Sequence, residues 1–274
     1  MPDATAGLPR SLAGDPLPPG PGDLLRGLSV GDAGLAASGF AADAVYAAPA
    51  SDVEEDAPRV ILEGSEIGER LAADSQLGCV HRVRLCCVES NDCLLEGWIL
   101  GPDDDRVRSF AASLQLDGSG LIARCLLFRT PPVEDAGGVG GPNEAGADIR
   151  ALLDEYFEEL QAARFEAATA NYSEDLLYSH PPYSPGVPRA EFHGRDGLLA
   201  GFEARGPRPA RIFLDLSIQR GADLLLEGHA LADGTPQGPR TSFVSSASLD
   251  PAGKIRRYVA FQAKQQVPRL ESGG

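Results

Sequence analysis

Apolar residues at Ile149, Leu152, Leu153, Tyr156, Phe157 and Leu160 follow the i, i+3, i+4, i+7 spacing of an amphipathic helix. Asp148 stands where an N-cap side chain accepts a free amide, so the helix is expected to open there. A short helix over 165–170 and a strand over 176–180 come next, and Pro181-Pro182 ends the strand because proline cannot donate to a ladder. After a loop, Gly194 opens a helix over 195–204. Four runs with strand character follow at 210–220, 223–232, 240–249 and 254–264, joined by turns such as Asp250 to Gly253. In the third run Phe243, Ala247 and Leu249 share one face and Ser242, Ser246 and Ser248 the other. Ser245 therefore lies on the apolar side.

The first half of the chain carries the same pattern in weaker form. Leu24, Leu25 and Leu28 suggest a short helix weakened by Gly27, Gly31 and Gly34. A helix over 65–73 opens at Gly64, and strands are expected over 78–88, 93–100, 107–116 and 121–129. The likeness extends to individual residues. Leu94-Leu95-Glu96-Gly97, Ser109-Phe110, Leu116-Asp117, Gly120, Ile122, Arg124 and Phe128 return in order as Leu225-Leu226-Glu227-Gly228, Ser242-Phe243, Leu249-Asp250, Gly253, Ile255, Arg257 and Phe261. Upstream, Tyr46 and Pro49 answer Tyr178 and Pro181, and Arg59 with Gly64 answers Arg189 with Gly194. The offsets stay between 130 and 133 positions, which marks a duplicated domain. The chain divides into a Pro/Gly-rich leader expected to be disordered (1–22), a first domain (23–130), a Gly/Pro-rich linker (131–147) and a second domain (148–268).

Composition narrows the function. A formal net charge of −16 argues against nucleic acid and anionic membrane, which need Lys and Arg to neutralise phosphate. No run of about 20 apolar residues could span a bilayer, and the N-terminus lacks a basic region followed by an apolar one, so a cytoplasmic setting is expected. The five cysteines all lie in the first copy without metal-ligand spacing and read as reduced core thiols. An alternating strand would point the neighbours Cys86 and Cys87 to opposite faces.

Two helices, a strand, a helix and a curved antiparallel meander make an α+β cone, the helices closing the mouth of a bent sheet. The chain resembles the nuclear transport factor 2-like fold in both copies. Through "YSEDLLYSHPPY", "EFHGRDGLLAGF" and "SFVSSASLDPAGKIRRYVAF" the second is similar to the SnoaL-like, ketosteroid isomerase-like branch. The resemblance implies two tandem cystatin-like cones paired sheet to sheet into an intrachain pseudo-dimer, in a monomer or weak dimer. The small positions Ser109, Ala111 and Ser113, with Ser242, Val244 and Ser246, would permit that approach.

The same resemblance implies site residues. The base position of the ketosteroid isomerase pattern, just before the strand-ending proline, falls on His180, and the oxyanion tyrosine, twenty-four residues earlier, on Tyr156. The second oxyanion donor falls on Ser245. A neutral imidazole can accept a proton near neutral pH, and a tyrosine hydroxyl can stabilise a developing oxyanion. The alternative is a His180 that merely completes a polar core. In the first copy these positions hold Leu24, Ala48 and Ala112, chemically blank, so only the second domain is expected to carry a site. Tyr183, His193, Glu227 and His229 are further pocket candidates; Glu227 and His229 share a strand face, without alternation saying which face is inward. Tyr178 and Arg189 recur as Tyr46 and Arg59 and read as structural. His193, Glu227 and His229 form no dense metal motif, and no metal or cofactor is expected. The expected function is proton transfer, isomerisation or cyclisation of a small hydrophobic, polyketide-like carbonyl compound. The alternatives are a polyether-type epoxide-opening hydrolase or cyclase, whose chemistry in the resembled family uses paired carboxylates, and a non-catalytic binding protein.

Overall fold

The computed structural model describes residues 12–49, 59–75, 79–133, 141–182, 187–236, 240–263 and 265–270. Tyr183, a pocket candidate, lies outside them. Two units emerge: one of described residues up to 132 with 267–270, the other spanning described residues of 133–266.

The first unit runs β1 (Ala13–Gly14), α1 (Pro19–Val30), α2 (Ala33–Ser38), β2 (Phe40–Pro49), β3 (Arg59–Glu63), α3 (Ser65–Ser75), β4 (Val80–Glu89), β5 (Asp92–Leu100), β6 (Arg106–Leu116) and β7 (Ile122–Thr130). The second runs α4 (Ile149–Gln161), α5 (Phe165–Thr169), β8 (Tyr172–His180), β9 (Ala190–His193), α6 (Arg195–Arg205), β10 (Arg211–Arg220), β11 (Asp223–Leu231), β12 (Arg240–Leu249) and β13 (Ile255–Ala263). The sheets share one topology: β4-β5-β6-β7-β2-β3, extended by β1, and β10-β11-β12-β13-β8-β9. Registers repeat as well. Leu95 opposes Ala112 as Leu226 opposes Ser245, and the parallel pairing of Phe40 with Ile122 recurs as Tyr172 with Ile255. Both meanders slip register at the same place, at Arg84 in β4 and Asp215 in β10. Each bulge bends its strand and helps curve the sheet around a core. The expected α+β fold with tandem cones is what each unit shows.

Asp148 caps α4 by accepting the Ala151 amide, and α4 buries Ile149, Leu153, Tyr156 and Phe157 against the sheet. Burying such side chains stabilises by roughly 1.5–3 kcal/mol each. Leu198 and Phe202 of α6 complete this core with Leu224, Leu226, Phe243 and Ala247 of the strands.

Three boundaries differ from the sequence reading. The leader is shorter than expected, because β1 pairs with β4 and α1 already starts at Pro19. Proline is tolerated in a first turn, and the glycines serve packing. A Cβ on Gly27 would lie 2.2 Å from the Ala36 amide nitrogen, so α1 and α2 meet only without it, and Gly31 ends α1 in the left-handed region at φ 75°. The end of the linker belongs to the second unit, where Asn143 accepts the Ala147 amide and donates to its carbonyl, and Gly141 accepts from Ala222. The loops after β2 and β8 contain the short edge strands β3 and β9.

Candidate active site

Alternation along β8 turns Leu176, Tyr178 and His180 toward the helices, and along β13 it does the same for Tyr258, Ala260 and Gln262. With α4 and β12 these strands enclose a cavity of about 170 Å3. Its wall is aromatic: Tyr156 and Phe157 from α4, Tyr178 from β8, Phe243 from β12 and Tyr258 from β13. Alanines at 210, 230, 232 and 260 leave the space open, while His180, Gln161, Thr241 and Gln262 add polar groups. Arg205, at the end of α6, and Arg208, in the following loop, add cations.

Tyr156 is buried and its hydroxyl lies 3.1 Å from that of Tyr178. Tyr178 stacks on Tyr258 at 5.2 Å between ring centroids, and the Tyr258 hydroxyl donates to Ser245 Oγ at 3.1 Å. Three tyrosines and a serine thus form a polar seam inside an otherwise apolar core. The His180 ring lies parallel to that of Tyr178, and its Nδ1 is 2.7 Å from the Pro181 carbonyl oxygen. A carbonyl only accepts, so the neutral ring carries its proton on Nδ1, and the lone pair belongs to Nε2. Burial above all pushes the imidazole pKa down to about 3; the Pro181 hydrogen bond opposes it, and the charges of Arg189, Arg205 and Arg208 each lower it by a smaller amount. His180 is neutral throughout the physiological range.

No family model matches the chain, and no curated protein matches it. The solved structures similar to it are nuclear transport factor 2-like, cystatin-like, ketosteroid isomerase-like and SnoaL-like proteins. One is an NTF-2 like protein of unknown function from Burkholderia xenovorans LB400, 19% identical, covering 45% of this chain and 88% of its own with a TM-score of 0.35. A candidate ketosteroid isomerase from Kribbella flavida DSM 17836 is 21% identical over 45% of this chain and 82% of its own, TM-score 0.32. A candidate isomerase of the SnoaL-like family from Agrobacterium tumefaciens is 18% identical over 36% of this chain and 80% of its own, TM-score 0.30.

Of the residues singled out in the sequence, Tyr156 and His180 line the same cavity, and Ser245 sits behind Tyr258, one hydrogen bond from it. Three others do not line it. Leu224 and Leu226 of β11 face the core and Ala230 the cavity, so alternation turns Glu227 and His229 to the opposite face. There His229 Nδ1 lies 2.8 Å from the carboxylate of the bulged Asp215, and its ring stacks on Phe213. His193 is exposed in edge strand β9, opposite Leu177. Among the described residues no group of three or more His, Cys, Asp or Glu could hold a metal ion. Arg189 binds the Ser179 hydroxyl at 2.6 Å and the Ala260 carbonyl, which ties β8 to β13.

Sequence reasoning missed Tyr178, Tyr258, Thr241, Arg205 and Arg208. Tyr178 carried a signal, since it stands two residues before His180 on one strand and shares its face. In the first unit the equivalent positions Leu24, Ala48 and Ala112 all belong to one apolar core. Tyr46, the counterpart of Tyr178, is buried there, and its hydroxyl has no hydrogen-bond partner among the described residues. Leu24 stands where the second unit supplies Tyr156.

Proposed function

We propose that the second unit is a cofactor-independent enzyme that moves a proton on a small hydrophobic carbonyl compound, in an isomerisation or ring closure. The observation that carries this reading is one cavity lined by both His180 and the hydrogen-bonded pair Tyr156–Tyr178. A substrate carbonyl oxygen at Tyr156 would accept a hydrogen bond whose donor is itself supported by Tyr178, so charge developing on that oxygen meets a preorganised dipole. Nε2 of His180 would take the proton from the adjacent carbon. Among the described residues no Asp or Glu lines the cavity, which counts against epoxide opening by paired carboxylates. A cavity of about 150 Å3 accommodates a benzene-sized ring, so about 170 Å3 favours one or two rings over a long polycyclic polyketide.

The depressed basicity of His180 favours a second reading, in which the cavity binds its ligand without reacting. A screen of small enolisable ketones and aldehydes for exchange of the α-proton in deuterated solvent separates the two. Enzymatic action predicts exchange that Tyr156→Phe slows mainly through kcat, with KM little changed. Binding of a screened ketone with no exchange above the uncatalysed rate would establish the second reading.

None of the five cysteines is in a disulfide, which supports a reducing, cytoplasmic setting, and among the described residues no helix is long and apolar enough to cross a membrane. The first unit is proposed as a structural partner without a site of its own, supported by Leu24, Ala48 and Ala112 at the positions that carry the polar groups in the second.

A further inference from the structure

The whole chain carries 40 acidic against 24 basic side chains, yet the cavity reverses that sign. Arg205 and Arg208 line it, and among the described residues no acidic side chain does. Gly206 ends α6 at φ 74°, and Pro207 and Pro209 restrict the backbone on either side of Arg208. Arg205 is placed by stacking over the Phe202 ring, 4.8 Å from its centroid. The Thr241 hydroxyl is buried in the cavity wall without a hydrogen-bond partner among the described residues, a polar atom left for a ligand to satisfy.

Resting on the proposed activity of this site, we infer that its substrate is a one- or two-ring carbonyl compound bearing a carboxylate, its ring among Tyr156, Tyr178 and Tyr258 and its carboxylate at Arg205 and Arg208. Planar guanidinium groups match a carboxylate with paired, charge-assisted hydrogen bonds, and Tyr faces provide apolar area with a polar tip. The same docking also addresses the weakness of the base. Part of what depresses the His180 pKa is the charge of Arg205 and Arg208, and a bound anion offsets it. The substrate would then strengthen the base that acts on it, while the empty site stays inert.

The test is calorimetric titration of the full chain with trans-cinnamate, its neutral amide and phenyl phosphate, at low and high salt. The carboxylate should bind about tenfold or more tightly than the amide, the value of one charge-assisted hydrogen bond, and salt should reduce the difference. Arg208→Gln, in an exposed loop, and Arg205→Gln should each shrink that preference, and Arg205→Lys should keep most of it; amide affinity should stay within about twofold in all three. Equal binding of amide and cinnamate, or a preference that survives the double Arg→Gln change, would overturn the inference. Tighter binding of phenyl phosphate than of cinnamate would overturn the carboxylate assignment in favour of phosphate. Because binding is read without turnover, a carboxylate preference in a protein that exchanges no α-proton refutes only the catalytic reading. Exchange on neutral ketones without the preference refutes only this inference.

Discussion

Tyr46 and Tyr178 occupy the same place in two copies of one fold, and what surrounds their hydroxyls differs. Tyr178 reaches Tyr156 at 3.1 Å, whereas Tyr46 shares an apolar core with Leu24 and keeps a buried hydroxyl without a hydrogen-bond partner among the described residues. Burial also raises the Tyr46 pKa far above the ordinary tyrosine range, so the group stays protonated. An unsatisfied buried hydroxyl costs about 1–3 kcal/mol. Tyr46→Phe should therefore stabilise the protein by about 1 kcal/mol, and Tyr178→Phe should destabilise it by a similar amount; urea unfolding of both variants checks the opposite signs. His180 makes a second residue-scale prediction. Its folded-state pKa, about 3, lies below the ordinary value of 6.5, so between those pH values the unfolded chain takes up a proton that the folded one does not. Its contribution is present above pH 6.5 and is lost as pH falls toward 3, at up to about 1.4 kcal/mol per pH unit. The stability of the wild type relative to His180→Gln should fall across this window, and parallel curves for the two would show that the ring is not held neutral. The pair His180 and Tyr156 was legible in sequence through the resemblance, whose pattern falls on both positions. Arg205, Arg208 and Thr241 were not, because nothing in a linear pattern says which distant element closes a cavity.

At the scale of elements, the sequence pattern located α3, α4, α6 and all eight meander strands within a few positions. It misjudged α1 because glycine reads as a weak helix former, while close helix packing needs it. Two substitutions in that one helix separate the roles. A Cβ on Gly22 would meet nothing within 4 Å, so Gly22→Ala should raise stability by about 0.5–1 kcal/mol. On Gly27 it would strike the backbone of Ala36, and Gly27→Ala should lower stability by about 1–3 kcal/mol or more. Thermal melts of the two variants should shift in opposite directions. Edge strands β3 and β9 escaped notice because four or five residues are too few to establish a period, and their pairing is fixed by partners distant in sequence. The face of Glu227 and His229 was equally undecided by alternation, which gives two sides without naming the inner one. Packing of Leu224 and Leu226 decides it.

For the whole molecule, the duplication was read directly from the sequence and returns in topology, register and bulge position. The two copies have diverged in chemistry rather than in backbone: the second keeps tyrosines and a histidine around open space, and the first fills the same positions with Leu24, Ala48 and Ala112. The central claim is that reactivity resides in the second unit and passes through His180. The most direct measurement is solvent-deuterium exchange on a ketone found to react, compared among wild type, His180→Ala and the first-unit variant Ala48→His at equal folded concentration. General-base catalysis predicts a loss of about 10²-fold or more for His180→Ala and an unchanged rate for Ala48→His. Exchange by His180→Ala at the wild-type rate would contradict the account.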